Sequence, residues 1–218
     1  MKINVLTYPF EHIIIEDYFE ENELKDIFNE LEAIFLFKEK SSNFFNWSLS
    51  ATNKDKLHTN RIAFDTKNFS RNKESIIVKH FEKIFRPDIS SFLFKNSNFC
   101  NFFKCITETG VVVGVYQDGD FYEPHFDLGV ITSIAHIWHP DFKFEGGELY
   151  FPGFNDYTIV PKFNNLIIFP SYLIHGVRKI KNLVKNKNLL YNRVSLTMLS
   201  ASGQGPEANK NLKIKHDY

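Results

Sequence analysis

Between Glu21 and Phe35 the apolar side chains Leu24, Ile27, Phe28, Leu31 and Ile34 recur at three- and four-residue intervals, the pattern of a helix with one buried stripe. Such a helix is expected to lie on a sheet. Just ahead of it, residues 9 to 15 (Pro-Phe-Glu-His-Ile-Ile-Ile) read as a strand. Residues 38 to 60 are rich in Ser, Asn and Lys and show no period, which predicts an irregular excursion or a lid. A second helix is predicted from about Asn72 to Phe85. It stops before Arg86-Pro87 because the residue preceding a proline avoids helical angles, and Asp88 is placed to cap the short helix that follows. From Phe102 the pattern changes to short β segments, at 102 to 107, 111 to 117, 130 to 138, 148 to 152, 157 to 160, 165 to 169, 174 to 180 and 190 to 199.

A helical half followed by many closely spaced strands predicts an α+β, mainly β chain: a jelly roll with N-terminal helices covering one sheet. At 218 residues one domain is expected, with residues 1–98 as helical support, 99–200 as the β core and 201–218 as a polar tail. The 43% hydrophobic content and 24 Phe supply an ample core. Lys plus Arg and Asp plus Glu both number 26, so bulk charge does not point to a nucleic acid or an acidic surface. Cys100 and Cys105 are too few for a disulfide framework, the N-terminus lacks a signal-peptide pattern, and no apolar run approaches the roughly 20 residues of a membrane span. A cytoplasmic protein with no membrane partner is expected.

The chemistry is concentrated between Tyr116 and Asp127, which reads Tyr-Gln-Asp-Gly-Asp-Phe-Tyr-Glu-Pro-His-Phe-Asp. On an extended strand His125 and Asp127 point to the same side, and His175 on a later strand can complete a set of two imidazoles and one carboxylate. That set binds iron on one face and leaves the opposite positions open. Taken alone, a His-x-Asp pair is more often a hydrogen-bonded surface pair. Its company here is a Gly146-Gly147 turn, the apolar run Asn165 to Pro170 just before His175, and the strand from Arg193 to Thr197. Arg193 and Ser195 share one face of that strand, a fork and a hydroxyl suited to the carboxylate of a dicarboxylate co-substrate.

With those residues in place, the chain resembles the 2-oxoglutarate and Fe(II) dependent dioxygenases, and within that superfamily it is most similar to the prolyl 4-hydroxylases. The resemblance covers about residues 99 to 200, together with the opening segment Tyr8 to Ile15. It implies a double-stranded β-helix (jelly-roll, cupin-like) core and a need for Fe(II), 2-oxoglutarate, O2 and, optionally, ascorbate. His125, Asp127 and His175 become the catalytic metal ligands. Arg193, Tyr116 and Ser195 become co-substrate ligands, and Tyr122 and Trp138 line the substrate mouth. Prolyl hydroxylases usually place a Lys about ten residues after the distal His. Here Arg193 stands eighteen residues on, so Arg193 is preferred and Lys185 is the runner-up. Phe126, Trp138, Phe169 and residues 38 to 60 are expected to help shape a dry pocket.

The implied reaction is hydroxylation of an unactivated C–H, foremost of a prolyl residue in a peptide or protein, with release of succinate and CO2. Two alternatives stay open: a free amino acid, another side chain or a nucleobase as substrate, and a non-catalytic binding module of the same fold. His136 and His139 stand at odd spacing on one predicted strand, so one is expected to be buried and hydrogen-bonded and the other exposed. His12, His58, His80 and His216 lack a neighbouring second ligand and read as structural or surface residues.

Overall fold

The computed structural model describes residues 1–40, 57–58, 60–64, 75–184 and 189–202. The chain opens with a hairpin of β1 (Lys2–Leu6) and β2 (His12–Glu16), in which Val5 faces Ile13. Of these, β2 corresponds to the expected entry strand, while β1 had no counterpart in the pattern. Helix α1 (Glu21–Lys40) begins with Glu21 and Glu23, which suit the positive end of the helix dipole, and Glu23 Oε2 accepts the Glu20 backbone N–H at 2.8 Å. Of the predicted stripe Ile27 and Leu31 are buried and Leu24, Phe28 and Ile34 partly so; Phe35, outside the stripe, is buried as well, and the helix continues past it.

Strand β3 (Leu57–His58) falls near the end of the segment 38–60 expected to be irregular and β4 (Asn60–Phe64) begins at its last residue; residues 41–56 and 59 of that segment lie outside the described residues. The second expected helix is α2 (Ile76–Phe81) followed by a 3-10 turn, Glu82–Phe85. Ser75 Oγ accepts the Val78 N–H at 3.3 Å to start α2, and the run stops before Arg86 as expected. Helix α3 (Pro87–Asn96) is not capped by Asp88. Pro87 takes the first helical position, where a missing N–H costs nothing, and Asp88 pairs with Arg86 at 2.8 Å. The expected strand 102–107 is instead a 3-10 helix, Phe99–Cys105. Burial of Phe99, Cys100 and Phe103 at three- and four-residue spacing fits a helical turn, not a strand.

The remaining strands are β5 (Glu108–Tyr116), β6 (Phe121–His125), β7 (Ile131–Ile137), β8 (Phe144–Gly146), β9 (Leu149–Phe151), β10 (Tyr157–Ile159), β11 (Asn165–Pro170), β12 (His175–Val177), β13 (Ile180–Asn182) and β14 (Arg193–Ala201). They build a seven-stranded sheet, β1-β2-β11-β7-β14-β5-β4, and a five-stranded sheet, β10-β9-β12-β6-β3, with every pairing antiparallel. This is the jelly-roll double-stranded β-helix. The expected strand 174–180 divides, because β13 leaves the five-stranded sheet to pair with β8. That pairing needs glycine at Gly146 (φ +78°), where a Cβ would collide with the Lys179 carbonyl.

Period two sorts the long strands. Val111, Val113 and Val115 of β5, Ile131, Ala135 and Ile137 of β7, Leu166 and Ile168 of β11, and Val194, Leu196 and Met198 of β14 form one core with Ile27, Leu31, Ile77, Phe81 and Leu93 of the helices. The helices therefore cover the outer face of the seven-stranded sheet. The alternate positions turn toward the five-stranded sheet. There Tyr116, Ile134, Ile167 and Phe169 meet Tyr122, Leu149, Phe151 and Val177. Among the described residues no helix is long and apolar enough to cross a membrane.

Candidate metal centre and its pocket

His125 ends β6 and His175 begins β12, and the two face each other directly across the antiparallel pair. Val177 then pairs with Tyr122, so β6 carries one residue more than β12 over this interval, a bulge. Pro124, with no N–H to offer a ladder, lies within it. Residues three apart on a regular strand face opposite sides. The bulge overrides this, and the Tyr122 and His125 rings stack with centroids 3.6 Å apart. Asp127 lies just beyond the strand end and still shares the side of His125.

One ligand atom from each of His125, Asp127 and His175 lies within 4.8 Å of the others, a cluster that can hold a metal ion. His125 Nε2 is 3.5 Å from Asp127 Oδ1, and His175 Nε2 is 3.4 Å from Oδ2. The other ring nitrogens are engaged by backbone: His125 Nδ1 is 2.9 Å from the Glu123 carbonyl and His175 Nδ1 is 2.8 Å from the Leu173 carbonyl. A carbonyl can only accept, so each ring carries a hydrogen on Nδ1 and presents Nε2 to the carboxylate, as a proton donor in the imidazolium form and as a lone pair open to a metal in the neutral one. Thr132 Oγ1 donates to Asp127 Oδ2 at 2.8 Å and lies 2.9 Å from the Ser171 hydroxyl, while the Asp127 N–H donates to the Ser171 carbonyl at 3.0 Å. Burial alone would raise the Asp127 carboxyl. The two imidazoles facing it, which become positive on binding a proton, outweigh burial and hold it well below the usual carboxylate range. The group is thus ionised and accepts only.

The lining of the pocket beside this cluster brings together Tyr116, Tyr122, His125, Asp127, His175, Arg193 and Ser195. Arg193 is 1% exposed. Its Nη2 lies 2.7 Å from His136 Nε2, and its guanidinium carbon sits 4.6 Å from the centre of the Tyr116 ring, the residue opposite it on β5. Its Nε and Nη1 have no hydrogen-bond partner, a costly state for buried N–H groups that an acceptor entering the pocket would relieve. Ser195 faces Gly114, where a Cβ would come within 2.8 Å of the Ser195 hydroxyl, so the glycine keeps that hydroxyl clear.

Trp138 is not in this pocket. It packs edge-on against Phe144 (5.1 Å) and Phe163 (5.6 Å) and lines a separate groove, because β7 ends at Ile137 and the chain turns away. Phe126 is 62% exposed, turned away from the ligands on either side of it, whereas Phe169 stands edge-on to His175 at 4.8 Å as a wall. Lys185 lies outside the described residues. Two residues at the site have no counterpart among the expected ones. His136, expected to be merely structural if buried, lines the pocket, and Thr132 orients Asp127. Both share an inward face of β7 with Ile134, a relation that the same period-two rule used for His125 and Asp127 makes visible. His139, half-buried, stacks on Tyr191 at 4.1 Å.

Residues 111–198 match the family model of the 2OG-Fe(II) oxygenase superfamily. No curated protein sequence matches. Among solved structures the fold is similar to the viral collagen prolyl hydroxylase of Paramecium Bursaria Chlorella virus-1 in its 2-oxoglutarate complex (15% identity, 87% of this chain and 96% of that one, TM-score 0.51). It is similar also to a Pseudomonas putida prolyl-4-hydroxylase (13%, 88% and 93%, 0.53). A third likeness is to a Trichoplax adhaerens prolyl hydroxylase in complex with a hypoxia inducible factor oxygen degradation domain peptide fragment (15%, 88% and 83%, 0.54). At such identities the structural likenesses speak for the fold, and the donor chemistry has to match on its own terms. It does: two imidazole lone pairs and an ionised carboxylate suit Fe(II), and unpaired guanidinium N–H groups in the same pocket suit a carboxylate of 2-oxoglutarate. Over residues 111–198 the family match, the motif and the donor set are those of a 2-oxoglutarate/Fe(II)-dependent dioxygenase, and the fold is similar to that of the prolyl 4-hydroxylases.

Proposed function

We propose that the enzyme hydroxylates a prolyl residue within a peptide or protein, acting as a single domain over residues 1–218. In this reading His125, Asp127 and His175 hold Fe(II), while Arg193, Ser195 and Tyr116 hold the distal carboxylate of 2-oxoglutarate. The observation that carries it is the union, in one pocket, of a three-donor cluster with fixed tautomers and a buried arginine with unpaired N–H groups. When bound, Fe(II) and 2-oxoglutarate supply the oxidising chemistry: O2 is consumed, 2-oxoglutarate becomes succinate and CO2, and a C–H becomes C–OH. Ascorbate serves as an auxiliary reductant of the iron.

The protein's part is to bind, orient and keep water out. Tyr122, stacked on His125, forms the wall against which a substrate ring rests. On the chain segments next to the ligands, Phe126 (62% exposed), Leu128 (81%), Tyr172 and Ile174 are exposed, and these segments are tied together by the bonds Asp127 N–H to Ser171 carbonyl (3.0 Å) and Ser171 N–H to Val130 carbonyl (3.1 Å). An exposed apolar surface beside the site favours a neutral peptide backbone over the ammonium and carboxylate of a free amino acid. The peptide held by the Trichoplax enzyme extends to this chain as the type of substrate to try first. Both cysteines are free, in line with action in the reducing cytoplasm.

Anaerobic titration of the purified protein with Fe(II) and 2-oxoglutarate should raise a weak visible charge-transfer band, and admission of oxygen should then release succinate faster with proline peptides than with free proline. Equal stimulation by free proline would overturn the peptide reading. Failure to bind metal would favour a non-catalytic module.

A further inference from the structure

Two hydroxyls behind Asp127, those of Thr132 and Ser171, are fully buried. Thr132 stands on β7 between Phe169 of β11 and Leu199 of β14, and Ser171 directly follows the end of β11. The direction of their hydrogens follows from chemistry. An ionised carboxylate only accepts, so the single Thr132 hydrogen goes to Asp127 Oδ2 (2.8 Å). Thr132 Oγ1 then has only lone pairs left for its contact with Ser171 Oγ at 2.9 Å, so Ser171 is the donor there. The result is a one-way relay from Ser171 O–H to Thr132 O–H to Oδ2.

The backbone of Ser171 secures the same relay. Its carbonyl accepts the Asp127 N–H at 3.0 Å, and its own N–H donates to the Val130 carbonyl at 3.1 Å. One residue thus holds the segment 127–132 at three points. Burial alone does not produce such a network: Ser133, the next residue on β7, is equally buried, yet its hydroxyl has no hydrogen-bond partner. The relay leaves the two oxygens of Asp127 unequal, with Oδ2 engaged and Oδ1 facing His125 Nε2 at 3.5 Å. That inequality matters because a carboxylate can lend a metal one oxygen or two, and the second would take up a position that the facial arrangement keeps open.

We propose that Thr132 and Ser171 are positioning residues that confine Asp127 to a single ligand oxygen, Oδ1, by engaging Oδ2 through this relay. The inference rests on the reading of Asp127 as a metal ligand given above. In this role the two hydroxyls keep room at the metal for the co-substrate without touching it.

The test uses the full chain loaded with redox-silent Zn(II), with 2-oxoglutarate as the probe. The infrared difference between Zn(II)-loaded and metal-free protein reports the ligand carboxylate, whose antisymmetric and symmetric stretches lie further apart when one oxygen binds than when two do. Thr132→Val keeps the shape and removes the hydroxyl; it should narrow that separation and weaken 2-oxoglutarate binding by about 10-fold in calorimetry, while Zn(II) still binds. Thr132→Ser should restore both readings, and Ser171→Ala should move both in the direction of Thr132→Val by a smaller amount. A wide separation retained in Thr132→Val overturns the proposal even if affinities fall, since a mere structural brace would lower affinity without changing the number of ligand oxygens. Loss of Zn(II) binding in that variant alone would also overturn it, because the hydroxyl would then present the ligand instead of limiting it. Should Thr132→Val not fold, an unchanged spectrum and affinity in Ser171→Ala would sink the relay. If the wild-type protein shows no carboxylate shift with Zn(II), the reading of the metal centre fails and takes this proposal with it.

Discussion

The two faces of β14 use the same strand for opposite purposes. Val194, Leu196 and Met198 are fully buried against the helices, a hydrocarbon contact with no hydrogen-bonding demand, whereas Arg193, Ser195 and Thr197 line the pocket, where Arg193 keeps unpaired donors. β7 divides likewise, with Ala135 and Ile137 outward and Thr132, Ile134 and His136 inward. The outer face holds the sheet rigid so that the inner face can afford polar groups that are incomplete on their own. Because the faces differ by one residue of register, a single-residue slip would exchange them, and the outer hydrocarbon is what forbids the slip.

If this division holds, damage to each face should be read by a different assay. Asp127→Ala, on the inner side, should abolish iron-dependent succinate release while leaving a folded protein; full activity in that variant would remove Asp127 from the metal centre. Leu196→Ala, on the outer face, should lower the free energy of unfolding by about 2–5 kcal/mol in a urea titration while the folded fraction still binds 2-oxoglutarate. A loss of co-substrate affinity as large as the loss of stability would show that the faces are not separable. The smallest effect concerns pH. His12 and His136 are held neutral, chiefly by burial, below the ordinary imidazole value of 6.5, so the unfolded chain binds more protons and stability should fall as pH drops below that value. Melting of the metal-free protein at about pH 5.5 against pH 7.5 should show this loss, and His136→Asn should reduce it. No change above pH 7 is expected in either protein.

The division into faces was largely legible in the sequence, because a strand's alternation is written residue by residue: Arg193 with Ser195, and His125 with Asp127, follow from spacing alone. What was not legible depends on partners distant in the chain. The bulge at Pro124 that sets Tyr122 over His125 exists only against β12, and Trp138 leaves the pocket because β7 ends one residue before it. The apolar run 102–107 misled for a different reason: a short run reads equally well as strand or helical turn until burial separates them. Spacing relates His136 only to His139, three residues along the same segment. The comparison that mattered was with Arg193, its neighbour across the sheet.

The rung that sets His125 against His175 also fixes the order in which the site is completed as the chain is synthesised. Residues emerging early supply one imidazole and the carboxylate. The second imidazole arrives after most of the β region has appeared, and β14 brings the arginine last, to be inserted between β5 and β7. A nascent chain stopped before β14 would leave the seven-stranded sheet with a gap between β7 and β5 and two unpaired strand edges, so the arrival of Arg193 in the pocket and the closing of the sheet are one event.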